Sequence, residues 1–161
     1  LLKKLPKVEL HCHLDGCLRI ETILDLGQRY NVSLPASNPE DLIKLLCIGK
    51  KRGTLEEYIA RFDITLSVMQ TPEALTRIAF ELIEDVAAEN VRYIEVRYAP
   101  ILHTRLGMTL EEAVEAVRDG LIKGEKAFGV KSGIIICGIR HISPEAVQGD
   151  TWRRGWSCRA P

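Results

Sequence analysis

His11 and His13 stand one residue apart in the run Val8-Glu9-Leu10-His11-Cys12-His13-Leu14-Asp15-Gly16. The run reads as a short strand, in which every second side chain leaves the same face. Glu9, His11 and His13 therefore share one face, and Val8 and Leu10 share the other. Neutral imidazole is a good ligand for zinc and similar ions. Asp15-Gly16 follows at once, adding a carboxylate and a tight turn. A glutamate beside the two histidines is out of place in a plain core strand. The pattern points to a metal ion serving hydrolysis, held at the C-terminal end of a strand. Two imidazoles do not make a catalytic zinc site, which takes three protein ligands and an open water position. Only His103 and His141 remain. Each follows a strand and reads as a polar loop residue, with metal ligation the alternative. Cys12 and Cys17 flank the pair, but Cys12 belongs to the opposite strand face, which argues against a mixed Cys/His cluster.

These residues need a scaffold, and the rest of the chain supplies one. Apolar positions Ile20, Ile23, Leu24 and Leu26 predict a helix over 20–30, broken by Asn31 to Pro35. Asn38-Pro39 starts a second helix, with Asn as cap and Pro at the first helical position. Thr54-Leu55-Glu56-Glu57 reads as a capping box opening a helix from Leu55 to about Met69. Its residues Leu55, Tyr58 and Phe62 lie at helical spacing, which is core packing by default and a substrate-covering lid as the sharper alternative. After Thr71-Pro72, the stripe Leu75, Ile78, Ala79, Leu82, Ile83 and Val86 predicts a long amphipathic helix. Val91–Tyr98 is a strand with Ile94, Val96 and Tyr98 on one face and Tyr93, Glu95 and Arg97 on the other. Glu95 and Arg97 are expected to form a structural ion pair. A second capping box, Thr109-Leu110-Glu111-Glu112, opens a helix. Gly133–Ile139 is a third strand, and Ser143-Pro144-Glu145 a further helix start.

Strand, helices, strand, helix, strand is the alternation of an α/β fold with parallel strands. Charged residues on one strand face and helices on the other suit a barrel better than an open doubly wound sheet. The expected fold is a partial (β/α)8 barrel, about its first three strand-helix units.

The 161 residues are 46% hydrophobic and 27% charged, with Lys+Arg and Asp+Glu at 22 each. That balance gives no sign of a nucleic-acid partner or an anionic membrane surface. No apolar run approaches the ~20 residues of a membrane span. The five cysteines, Cys12, Cys17, Cys47, Cys137 and Cys158, form no CxxC pair and suggest reduced thiols in the cytoplasm.

Four stretches in order, Pro6–Gly16, Val91–Pro100, Gly120–Gly129 and Cys137–His141, resemble the adenosine deaminase family, over residues 6 to about 147. The resemblance implies a zinc-binding (β/α)8 barrel with His11 and His13 as the first two zinc ligands. It places His13 and Asp15 near the ribose 5′-hydroxyl, and Leu55, Tyr58 and Phe62 on the helix lidding the purine pocket. Tyr58 departs from the Phe often found there, and Cys17 from Ser. Asp15 marks the subtype, since adenine deaminases tend to carry Glu and nucleotide-directed relatives Asn. The implied reaction is zinc-dependent hydrolytic deamination of adenosine to inosine, on a small-molecule purine nucleoside. The family's proton-donating glutamate and third ligand lie in a His-Ala-Gly-Glu motif, and a further ligand in an Asn-Thr-Asp-Asp run. Neither is in this sequence, so no catalytic residue is assigned and the chain is expected to be inactive and poorly stable alone. Residues 1–148 are expected to be the N-terminal portion of such a barrel. Residues 149–161, holding both tryptophans and three arginines, are expected to be foreign to it, from a frameshift, an alternative splice end or a gene-prediction artefact. The other readings are a non-catalytic interaction protein and a deaminase of adenine or a methylated nucleotide.

Overall fold

A computed structural model describes residues 4–46 and 55–139, with the backbone alone over 55–60. Its elements run β1 (Lys7–His13), α1 (Ile20–Arg29), α2 (Pro39–Leu46), α3 (Leu55–Val68), α4 (Pro72–Ala88), β2 (Val91–Tyr98), α5 (Leu110–Phe128) and β3 (Lys131–Ile136). The three strands form one parallel sheet in the order β1-β2-β3. Parallel neighbours need helical crossovers, and α1 to α4 and then α5 provide them. This is the expected strand-helix succession of a partial barrel. The third strand begins two residues earlier than its apolar run, because Tyr93 already pairs with Lys131.

Local chemistry sets the helix starts. The Asn38 side-chain oxygen accepts from Asp41 N–H at 2.9 Å. Thr71 caps α4 ahead of Pro72. At α5, Thr109 Oγ1 accepts from Glu112 N–H at 3.1 Å and the Glu112 carboxylate accepts from Thr109 N–H at 2.8 Å, the full reciprocal box. Gly129, at φ 72°, ends α5 in the left-handed conformation that glycine adopts without strain.

The core lies between the sheet and the pair α4–α5. Ile94, Val96 and Tyr98 are buried on the helix side of β2, as alternation predicts. α5 comes so close to α4 that a Cβ on Gly120 would stand 2.3 Å from the Thr76 carbonyl oxygen. Thr76 Oγ1 donates to the Ala116 carbonyl at 3.0 Å across the same contact. Arg19 joins the start of α1 to α4 through Glu84 (2.7 Å) and Asp85.

β1 departs from expectation. Val8 and Leu10, predicted to face helices, are 62% and 54% exposed. Two effects combine. No helix among the described residues lies over that face, and the β1–β2 register is irregular, with Glu9 opposite Ile94 but Cys12 opposite Val96. Three steps on β1 span two on β2, so one extra residue bulges out and alternation fails there.

Thr54 of the first capping box, Cys47, His141, the helix start at Ser143, Cys158 and residues 149–161 lie outside the described residues, as do the side chains of Leu55 and Tyr58.

Candidate functional site

The bulge in β1 creates the local geometry of the histidine pair. An extra residue leaves ladder groups unpaired, and two charged side chains take up such groups here. The Glu9 carboxylate accepts the His11 N–H at 2.8 Å. Arg97 Nη2 donates to the Leu10 carbonyl at 3.2 Å. This corrects the expected Glu95–Arg97 ion pair: Glu95 instead accepts from the Tyr93 hydroxyl at 3.2 Å. It also explains the glutamate in the strand, since Glu9 serves the backbone that presents His11.

His11 lies within the bulged segment and His13 just beyond it, and the two imidazoles stay neighbours, with ring centroids 5.3 Å apart and planes tilted by 45°. Both are exposed. They line a cleft of about 520 Å³ with Asp15, Phe62, Tyr98 and Leu102 among its other walls. The chain then turns in a short 3-10 helix, Leu14–Gly16, anchored by the fully buried Leu14. That turn carries Asp15 back beneath His13, with Nδ1 and Oδ1 3.9 Å apart. The Asp15 Oδ1 atom is buried and accepts no hydrogen bond. Burial pushes its carboxyl above the ordinary range, against the opposing pull of His13. An unpartnered carboxylate oxygen beside an imidazole at a cleft wall is ready to accept a hydrogen bond from a ligand.

Phe62 is packed against the core and borders this cleft as well as a neighbouring one of about 340 Å³ that holds Asp15, Arg61 and Thr65. The structure thus brings His11, His13, Asp15 and Phe62 together. Leu55 and Tyr58 lie on the same helix, α3, by backbone alone.

The donor set fits part of a metal site. Two imidazoles on one strand end suit a zinc-like ion. Among the described residues, no group of three or more His, Cys, Asp or Glu side chains is placed to hold a metal. His103 does not contribute. It was expected as a polar loop residue, yet it is 1% exposed. Its Nδ1 donates to the Met69 carbonyl at 3.0 Å, and its ring lies 5.7 Å from that of Tyr98. Burial pushes its pKa down to about 4, so the ring is neutral. Proline at position 100 and the apolar Ile101-Leu102 turn the chain inward before it, a signal that the single polar letter conceals. Cys12 packs on the core yet also reaches the cleft wall, where it meets Cys17. Their mutual hydrogen bond lowers the Cys12 pKa and, with burial, raises that of Cys17.

Sequence reasoning missed the service that Glu9 and Arg97 give to the bulge. The irregular register that makes them necessary comes from pairing with β2 and leaves no mark in β1 itself.

The family model described as adenosine deaminase matches residues 6–154. An adenosine deaminase of Clostridium botulinum strain 657 is 50% identical over 140 residues, covering 87% of this chain and 42% of that protein. Among solved structures, an amidohydrolase from Burkholderia ambifaria with bound zinc superposes with a TM-score of 0.76 at 29% identity, over 90% of this chain and 39% of its own. An adenine deaminase from Arthrobacter aurescens follows with a TM-score of 0.75 at 30% identity, over 84% and 40%. The chain spans about two-fifths of the length of the curated relatives it matches. No described helix is long and apolar enough to cross a membrane.

Proposed function

The chain belongs to the adenosine deaminase family, and we propose that it supplies the first part of a hydrolytic deaminase site acting on adenosine, with His11 and His13 as two ligands of a zinc ion. The observation that carries this reading is the imidazole pair, presented on one side of the β1 end and facing a cleft. Zinc held there supplies Lewis acidity, the chemistry that makes water a nucleophile near neutral pH. The net reaction replaces the exocyclic amino group of the purine with oxygen from water and releases ammonia.

The chain's own residues then have distinct tasks. His11 and His13 offer neutral nitrogens to the ion. Glu9 and Arg97 hold the bulged backbone that aims them. Asp15 accepts a hydrogen bond from a ribose hydroxyl through its unpartnered oxygen. Phe62 covers the cleft with apolar surface. Adenosine is favoured over adenine as substrate by the aspartate at position 15 and by 50% identity to an adenosine deaminase against 30% to an adenine deaminase. The sequence holds no His-Ala-Gly-Glu and no Asn-Thr-Asp-Asp run. The three described cysteines are free thiols, which supports a reducing compartment such as the cytoplasm.

Zinc titration by calorimetry tests the ligand assignment, run in a Cys12→Ser/Cys17→Ser background so that thiols do not compete. His11→Ala and His13→Ala are each expected to weaken binding about a hundredfold or more, exceeding the usual loss for a residue behind a ligand. Equal affinity in parent and variants would remove the assignment.

A further inference from the structure

Cys12 sits in β1 and Cys17 just beyond the turn that follows it, and their Sγ atoms lie 3.2 Å apart. The turn fixes that approach. Leu14 is fully buried, and Cys17 N–H donates to its carbonyl at 3.2 Å, which brings residue 17 back over residue 12. Both thiols are free, part-buried, and on the wall of the same cleft, so a small molecule reaches them from the open side. A disulfide has an S–S bond of about 2.05 Å, so the two sulfurs need to close by only about 1 Å.

We propose that Cys12 and Cys17 form a redox-active dithiol that a hydroperoxide converts to an intrachain disulfide. The step balances in two stages. One sulfur attacks the peroxide: a sulfur–oxygen bond forms, the oxygen–oxygen bond breaks, and an alcohol (water, for hydrogen peroxide) leaves. The second sulfur then attacks the first: the sulfur–sulfur bond forms, the sulfur–oxygen bond breaks, and water leaves with the remaining proton. Two electrons pass from the sulfurs to the peroxide. The ring so closed contains His13 and Asp15, so the oxidised chain holds both inside one covalent loop. Cys137 lines the same cleft, but its Sγ contacts the Ile135 carbonyl at 3.9 Å and not a sulfur. The dithiol stands on its own geometry, whether or not the deaminase reading holds.

Peptide mapping of the whole chain tests it. Trypsin cuts after Lys7 and Arg19, so Cys12 and Cys17 fall in one peptide, Val8–Arg19, separate from Cys47, Cys137 and Cys158. After treatment with hydrogen peroxide and then an alkylating reagent, that peptide is expected to lose the mass of two hydrogens and take up no label. Dithiothreitol should restore two labels. In Cys17→Ser the same peptide should form no internal bond. The proposal is overturned if Val8–Arg19 keeps both labels while another cysteine oxidises, if either sulfur is found bonded to Cys137, or if it gains oxygen without forming the bond.

Discussion

The layer formed by α4, β2 and α5 and the strand β1 are built to opposite rules. In the first, Ile78, Ala79, Ile94, Val96 and Val117 are all within 1% of complete burial. In β1, every residue but Lys7 and Cys12 is exposed. The packed layer is a scaffold whose side chains satisfy one another. β1 is a presenting edge, whose side chains serve a cleft and whose backbone is steadied by two charged residues. Residues that hold the fold and residues exposed toward the cleft thus concentrate on different elements, although the strands bearing them are hydrogen-bonded neighbours.

Substitutions sharpen this contrast. Ile94→Ala removes a fully buried side chain and should cost about 3 to 4 kcal/mol in urea unfolding; a loss under about 1 kcal/mol would mean that the layer is not the core. The next effect is a pH dependence from His103. Its pKa is about 4 when folded against 6.5 as a free side chain. A base with a depressed folded pKa takes up its proton first in the unfolded chain. Its contribution is therefore full above pH 6.5 and is lost as pH falls toward 4, on the order of 3 kcal/mol in all. His103→Gln should flatten that acid limb, and an unchanged slope would contradict the buried neutral ring. The smallest effect belongs to β1. Leu10→Ala should change stability by no more than about 0.5 kcal/mol, since its side chain is 54% exposed. A cost near that of Ile94→Ala would show that β1 is covered.

Much of the scaffold was legible because its signals are local. The capping box at Thr109, the Thr71-Pro72 start and the stripe from Leu75 to Val86 each act within one element, and the structure has them all. The two histidines were legible because they stand one residue apart, which keeps their rings neighbours even though one of them lies in the bulge. The exposure of Val8 and Leu10, the partners of Glu95 and Arg97, and the burial of His103 were not. Each depends on what another element does: a bulge set by pairing with β2, or the carbonyl of Met69 waiting across the core.

The central claim is that the β1 histidines are half of a deaminase metal site. It is tested most directly in a chimera in which residues 6–139 replace the matching stretch of the Clostridium botulinum adenosine deaminase, which is 50% identical. Zinc-loaded, the chimera should release ammonia from adenosine, and His11→Ala or His13→Ala within it should lower the rate about a hundredfold or more, exceeding the usual loss for a residue behind a ligand. A folded, zinc-loaded chimera that is inactive, or one whose rate survives both substitutions, would contradict the account.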